Sequence, residues 1–193
     1  MKVGILYEGI YDKKSLIEIL TKLISNKRDL TPGQISFILH SPDGDIEGSI
    51  KTAAILFFDT NYCDIGVFVA DCKKNKAKER RIRRNVARHC KDINSDANFV
   101  CGFPDPELEQ WFLNEENAIR KILKLNKERG LPYRELKPKE RLLKIIEETR
   151  SQENITKSNL DIYAQIASAL DLEKLSSCNP SFKKFKNALV DAV

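Results

Sequence analysis

Four short apolar runs in the first half of the chain restrict its fold more than any other feature. They are "KVGILY" (Lys2 to Tyr7), "QISFILH" (Gln34 to His40), "DIGVFVAD" (Asp64 to Asp71) and "NFVCGF" (Asn98 to Phe103). Each is short, bounded by turn-forming residues and rich in branched or aromatic side chains, which reads as a buried strand. Helical patterns lie between them. Asp12 reads as an N-cap, after which Leu16, Ile17, Leu20, Leu23 and Ile24 recur at helical spacing. Pro32 and Gly33 break the chain before the second run, and "SPDGD" is a loop ahead of a helix from about Ile46 to Phe58. After the third run, Ile82, Val86 and Cys90 give a third helix its apolar stripe. Strand and helix alternating with short connections predict an α/β fold: about four mainly parallel strands, Rossmann-like, with helices on both faces.

After Pro104 strand signals stop. "PELEQWFLNEENAIRKILKL" reads as one helix or two, and further helices are expected near Lys139 to Arg150, Ser158 to Leu170 and Ser181 to Ala192, with "LPYRELKP" as the main interruption. The division is therefore 1–104 for the α/β domain and 105–193 for a helical extension. No Gly/Ser-rich linker separates them, so they are expected to pack as one unit. Trp111, Phe112 and Leu113 are assigned to that packing, with base stacking by Trp111 as the alternative.

Several function classes are set aside at this point. No apolar run approaches the ~20 residues that span a bilayer, and no basic region with an apolar core resembles a secretory signal. A cytoplasmic, non-membrane protein is expected. The five cysteines are scattered without a C-x-x-C pair and there are two histidines, so structural zinc is not expected. The thiols read as free and mostly buried, and His89 reads as packed on the apolar side of its helix. Neither a phosphate-binding G-x-x-x-x-G-K-[ST] loop nor a G-x-G-x-x-G fingerprint is present, which argues against a small-molecule phosphotransfer enzyme.

Ligands of parallel α/β sheets bind at the carboxyl ends of the strands. Acids fall there: Glu8 after the first strand, Asp71 at the end of the third, and Glu107 and Glu109 after the fourth. Hard oxygen ligands of this kind suit Mg²⁺ or Mn²⁺, and such an ion serves phosphodiester chemistry. The alternative stays open that these acids cap helices or complement their dipoles. Asp12 is assigned to capping, whereas Glu8, which precedes Gly9, is not placed to cap.

From Lys73 to Lys91 the chain holds ten Lys or Arg against one Glu, while the net charge of the whole chain is +5. Such a segment repels itself unless a polyanion neutralises it. Lys73, Lys74, Lys76, Lys78, Arg80, Arg81, Arg83 and Arg84 are therefore candidate contacts to a nucleic-acid backbone, with a solvated face as the alternative.

"ILYEGIYDKKSL" resembles the first motif of Toprim domains, a strand ending in Glu-Gly with an Asp a few residues on, and "VFVADCK" resembles the second, a strand ending in Asp-x-Asp. "PDPELEQWFLNEENAI", "KPKERLLKIIEE" and "CNPSFKKFKNAL" are similar to downstream segments of small Toprim-like proteins related to RloB and OLD-type proteins, encoded beside AAA-type ATPases. The resemblance implies a Mg²⁺-dependent nuclease of a phage-defence or repair system with an AAA-type ATPase partner. In it Glu8 handles proton transfer, while Asp71, with Glu107 or Glu109, holds the metal. Lys139 and Lys157 fall where such proteins tend to carry lysines; they reach phosphate or lie on a solvated surface. One position departs from the pattern: the second Asp of Asp-x-Asp is Lys73 here. Its ammonium repels a dication or contacts a phosphate, and the departure supports the alternative of a non-catalytic Toprim-fold module that binds nucleic acid or the ATPase.

Overall fold

In β1 (Lys2–Leu6) four of five residues are buried, and β3 (Ile65–Val69) is buried throughout, as strands covered on both faces require. The computed structural model describes residues 1–42, 45–126, 130–153 and 156–193; Asp43 and Gly44 of the "SPDGD" loop lie outside them. Between the strands run α1 (Asp12–Arg28), then β2 (Ser36–His40), α2 (Ile46–Ala54) with a π-helical turn over Ile55–Thr60, α3 (Lys76–Ile93) after β3, and β4 (Phe99–Gly102). The sheet has four strands in the order β2-β1-β3-β4, all parallel, with Ile5 opposite both Leu39 and Val67, and Val67 opposite Val100.

From β1 the chain crosses to β2 on one side, and from β3 to β4 on the other. Right-handed crossovers then put α1 and α3 on opposite faces. The core divides accordingly. Val3, Ile5, Tyr7, Val67 and Val69 pack with α1 and the C-terminal helices, while Leu6, Phe68, Ala70, Cys101 and Phe103 pack with α2 and α3. The strand order reverses between β1 and β3, which puts the topological switch point at their carboxyl ends.

Gly4 sets how closely α2 can approach: a Cβ there would stand 2.3 Å from Cγ of Phe57, which is itself fully buried. Gly4→Ala is expected to cost about 1–3 kcal/mol, the usual range for overpacking, read as a lower urea midpoint at unchanged slope. An unchanged midpoint would show that Phe57 moves aside freely.

The second half is helical: α4 (Glu109–Asn114), α5 (Glu116–Leu123), α6 (Pro138–Glu153), α7 (Asn159–Ala169), α8 (Leu172–Cys178) and α9 (Pro180–Ala192). The first long pattern splits at Glu115, which leaves helical geometry (φ −114°, ψ 67°) and accepts the Ala118 N–H to start α5. Trp111 is wholly buried, stacked on Phe185 and edge-on to Phe182, with Nε1 donating to Ser181 Oγ. It belongs to the core, not to a base-stacking surface. Four cysteines are buried and Cys178 is exposed. Among the described residues no helix is long and apolar enough to cross a membrane.

Candidate acidic site at the sheet edge

Glu8 leaves the end of β1 and spans the switch point: its Oε2 accepts the backbone N–H of Asp71, beyond β3, at 2.9 Å. The Lys78 ammonium closes the same corner, donating to the Asp71 carbonyl at 2.8 Å and lying 3.5 Å from Glu8 Oε1. Lys78 is aimed there because Asn75 caps α3, accepting the Lys78 N–H. Lys73 is not the cation at this corner. Its backbone and that of Lys74 are left-handed (φ 44° and 63°), its N–H donates to the Pro106 carbonyl, and its exposed ammonium makes no ion pair among the described residues. Lys73 therefore does not reach this corner; the ammonium there is that of Lys78, which meets the Asp71 backbone carbonyl and Glu8.

Asp12 corrects the capping assignment. It is the first residue of α1; the cap position is Tyr11, which makes no side-chain cap. The Asp12 carboxylate instead turns back to accept the Gly9 N–H at 2.7 Å and is 7% exposed. Gly9 is what admits it, since a Cβ there would meet Asp12 Oδ2 at 2.9 Å. Glu109, 3% exposed at the start of α4, accepts from the Tyr163 hydroxyl at 3.3 Å. Tyr163 stacks on Tyr11 at 4.9 Å, and the Lys139 ammonium lies over the other ring of that pair, Tyr11. Asp12 and Tyr163 thus join a site for which the sequence had offered Glu8, Asp71, Glu107 and Glu109, with Lys139, offered as a phosphate contact or a solvated lysine, beside them.

These acids press on one another. Burial pushes the Asp71 carboxyl up to about 8, helped by the charges of Asp12, Glu109, Glu8 and Glu107. Burial likewise lifts Asp12 to about 7, against the Gly9 hydrogen bond, with Glu109 and Glu8 raising it further and Lys139 opposing them. Glu109 is raised, first by burial and then by Glu107. Asp71 is the least compensated, its carboxyl having no hydrogen-bond or ion-pair partner among the described residues. The acids do not form a closed cage: among the described residues no three Asp, Glu, His or Cys side chains are grouped so as to hold a metal ion. All donors are hard oxygens, which fits Mg²⁺ or Mn²⁺ bound through one or two carboxylates with water and substrate phosphate filling the rest.

The basic segment divides into paired and free cations. Arg81 makes a two-point pair with Glu47, Lys76 and Arg83 share Glu79, and Lys78 serves the acidic corner. Lys73, Lys74, Arg80 and Arg84 are exposed and make no ion pair among the described residues. Their charges remain available to a polyanion.

A family whose description is "Domain of unknown function (DUF4276)" matches residues 7–190, a span that takes in both the sheet and the helical half. No curated protein and no solved structure matches the chain.

Proposed function

We propose, from the premise that this chain belongs to the DUF4276 family, that it is a divalent-cation-dependent phosphodiesterase acting on nucleic acid. The observation that carries the reading is Asp71. Its carboxyl has no partner among the described residues and sits near four other carboxylates that help drive it up to about 8. Repulsion of this kind destabilises a fold and persists at sites where a ligand or a reaction uses it. The resemblance of the strand-end motifs to Toprim domains supports the same reading. It also supports a cytoplasmic setting beside an AAA-type ATPase in defence or repair.

Asp71, with Glu109 or Glu107 as a second carboxylate, would hold Mg²⁺ or Mn²⁺, which would polarise the phosphoryl group and lower the pKa of a bound water. Glu8 is the exposed acid of the group. One of its oxygens is fixed by the Asp71 N–H and the other faces Lys78, which orients the carboxyl to take a proton from a nucleophilic water. Lys73, Lys74, Arg80 and Arg84 would grip the backbone through sequence-independent phosphate contacts.

Purified protein incubated with DNA and RNA, with Mg²⁺ or Mn²⁺ against EDTA, tests the assignment. Glu8→Gln is expected to lower cleavage by about 10²–10⁴-fold, the usual contribution of a general base. Metal-dependent cleavage undiminished in that variant would overturn Glu8's role. A second reading, a non-catalytic nucleic-acid-binding module, is favoured by the Lys78 ammonium already at the corner. Calorimetric titration separates the two. Metal binding lost in Asp71→Asn supports the enzyme, whereas salt-sensitive nucleic-acid binding without metal binding supports the module.

A further inference from the structure

Immediately past Asp71 the chain leaves the acidic edge and enters the wall of a separate cavity of about 100 Å³, roofed by the start of α9 and lined by Cys72 and Lys74. This volume holds several waters at about 10–15 Å³ of such space each, which is room for one tetrahedral oxyanion. Lys74, Lys76 and Arg83 come from one side and Lys184 from the other, against the carboxylates of Glu79 and Asp105. The net charge is +2: Lys76 and Arg83 share Glu79 and leave one positive charge, and Lys74 and Lys184, which make no ion pair among the described residues, add two against the one carboxylate of Asp105. The thiols at the base add no charge at pH 7, since burial pushes Cys72 up to about 11 and Cys101 to about 12.

The N-termini of α3 and α9 both border this cavity, capped by Asn75 and Asn179, so two helix dipoles favour an anion there. The Asp105 Oδ1 atom, also at this cavity, is buried with no hydrogen-bond partner among the described residues, and the protonated fraction of a phosphate monoester can donate to it. We infer that this cavity is a subsite for a phosphate monoester, the phosphorylated end of a nucleic-acid strand whose backbone lies on the acidic edge. A monoester carries about −1.5 to −2 charge at pH 7, which matches that net charge better than a diester does.

The nucleic-acid part of this inference rests on the function proposed above; the monoester part rests on the cavity alone. Asp71 and Lys74 are joined by a stretch of chain no longer than about 10–11 Å when extended. At ~3.4 Å per nucleotide of strand, the phosphorylated end sits within about three nucleotides of the acids.

The test is binding, in EDTA, of short single-stranded oligonucleotides identical except for a 5′-phosphate, a 3′-phosphate or hydroxyl ends, followed by fluorescence anisotropy at fixed salt. Inorganic phosphate and a nucleoside monophosphate serve as competitors. One phosphorylated form is expected to bind at least ~10-fold more tightly than the hydroxyl-ended strand, a difference of about 1.4 kcal/mol. Lys184→Ala and Lys184→Glu, at an exposed helix position, should remove that preference while leaving hydroxyl-ended binding within about twofold, as a distant surface charge allows. Equal binding of all three strands, or a preference that survives in Lys184→Glu, overturns the subsite and leaves the nuclease reading standing. If phosphate and the monophosphate bind while no strand does, the monoester site stands and the nucleic-acid reading fails.

Discussion

Asp71→Asn is expected to abolish metal-dependent cleavage and, in the same preparation, to make the metal-free protein more stable. The two effects have one cause. Loss of the carboxylate removes the proposed anchor of the ion, which contributes several kcal/mol of transition-state stabilisation; at 1.36 kcal/mol per tenfold this is about 10³-fold in rate. The stability gain follows from the shift of Asp71 from its ordinary 3.8 up to about 8. At pH 8 the folded state must bear a charge that the unfolded chain carries freely, and asparagine carries none. After discounting for coupling among the acids and for residual solvent, the gain at pH 8 is about 2–4 kcal/mol. At 2–4 °C per kcal/mol for a chain of this size, the melting temperature rises by about 4–16 °C. Single-turnover cleavage and thermal melts followed by circular dichroism in EDTA measure both. A variant that melts lower at pH 8 would show that the acids are not in conflict, and a variant that still cleaves would remove Asp71 from the metal site.

The strands were legible because each announces itself twice, as a short apolar run and by what interrupts it. All four lie within the expected ranges, trimmed by one or two residues at their ends. Helix α8 was missed because Leu172–Cys178 has seven residues and only Leu172 and Leu175 are buried, too few to show a period; its sole signal is the Asp171 cap. Edge positions for Glu8, Asp71, Glu107 and Glu109 followed from topology alone, since each comes just after a strand.

Asp12 shows where that reasoning fails. An acid ahead of an apolar helical pattern is the ordinary N-cap signal, and only Gly9 before it hints that the carboxyl folds back toward the strand end. Lys78 was named, but as one of eight similar cations. Which of them reaches the acids depends on the rotational phase of α3, set by the Asn75 cap and by Ile82, Val86 and Cys90 against the sheet. Tyr163 carried no local signal at all, because its contact with Glu109 joins residues 54 apart and exists only once α7 docks. Lys73 was the reverse case: side-chain alternation along an extended chain points it at the site, and a left-handed backbone turns it away.

The stability of the metal-free protein is expected to fall as pH rises, opposite to the common dependence set by salt-bridged carboxylates. Asp71 and Asp12 are raised to about 8 and about 7, from an ordinary value of 3.8. Between about pH 4 and pH 8 the folded state therefore holds protons that the unfolded chain has released, and stability declines with slope set by that difference. The contribution is complete below the unfolded pKa near 4 and is lost as pH passes through about 7 and then about 8. Because the two groups share one field, the drop from pH 5 to pH 8.5 is about 3–5 kcal/mol, not the sum of two independent shifts. Mg²⁺ should reverse it at pH 8 and do little at pH 5, where protons already neutralise the site. At a hundredfold excess over its dissociation constant the recovery is about 2.7 kcal/mol. Melting temperatures against pH, in EDTA and in Mg²⁺, give the answer directly. A profile that rises with pH would contradict the mutual repulsion of the acids. A falling profile that Mg²⁺ leaves untouched would keep the repulsion but assign the site to protons, and with it favour the non-catalytic module over the enzyme.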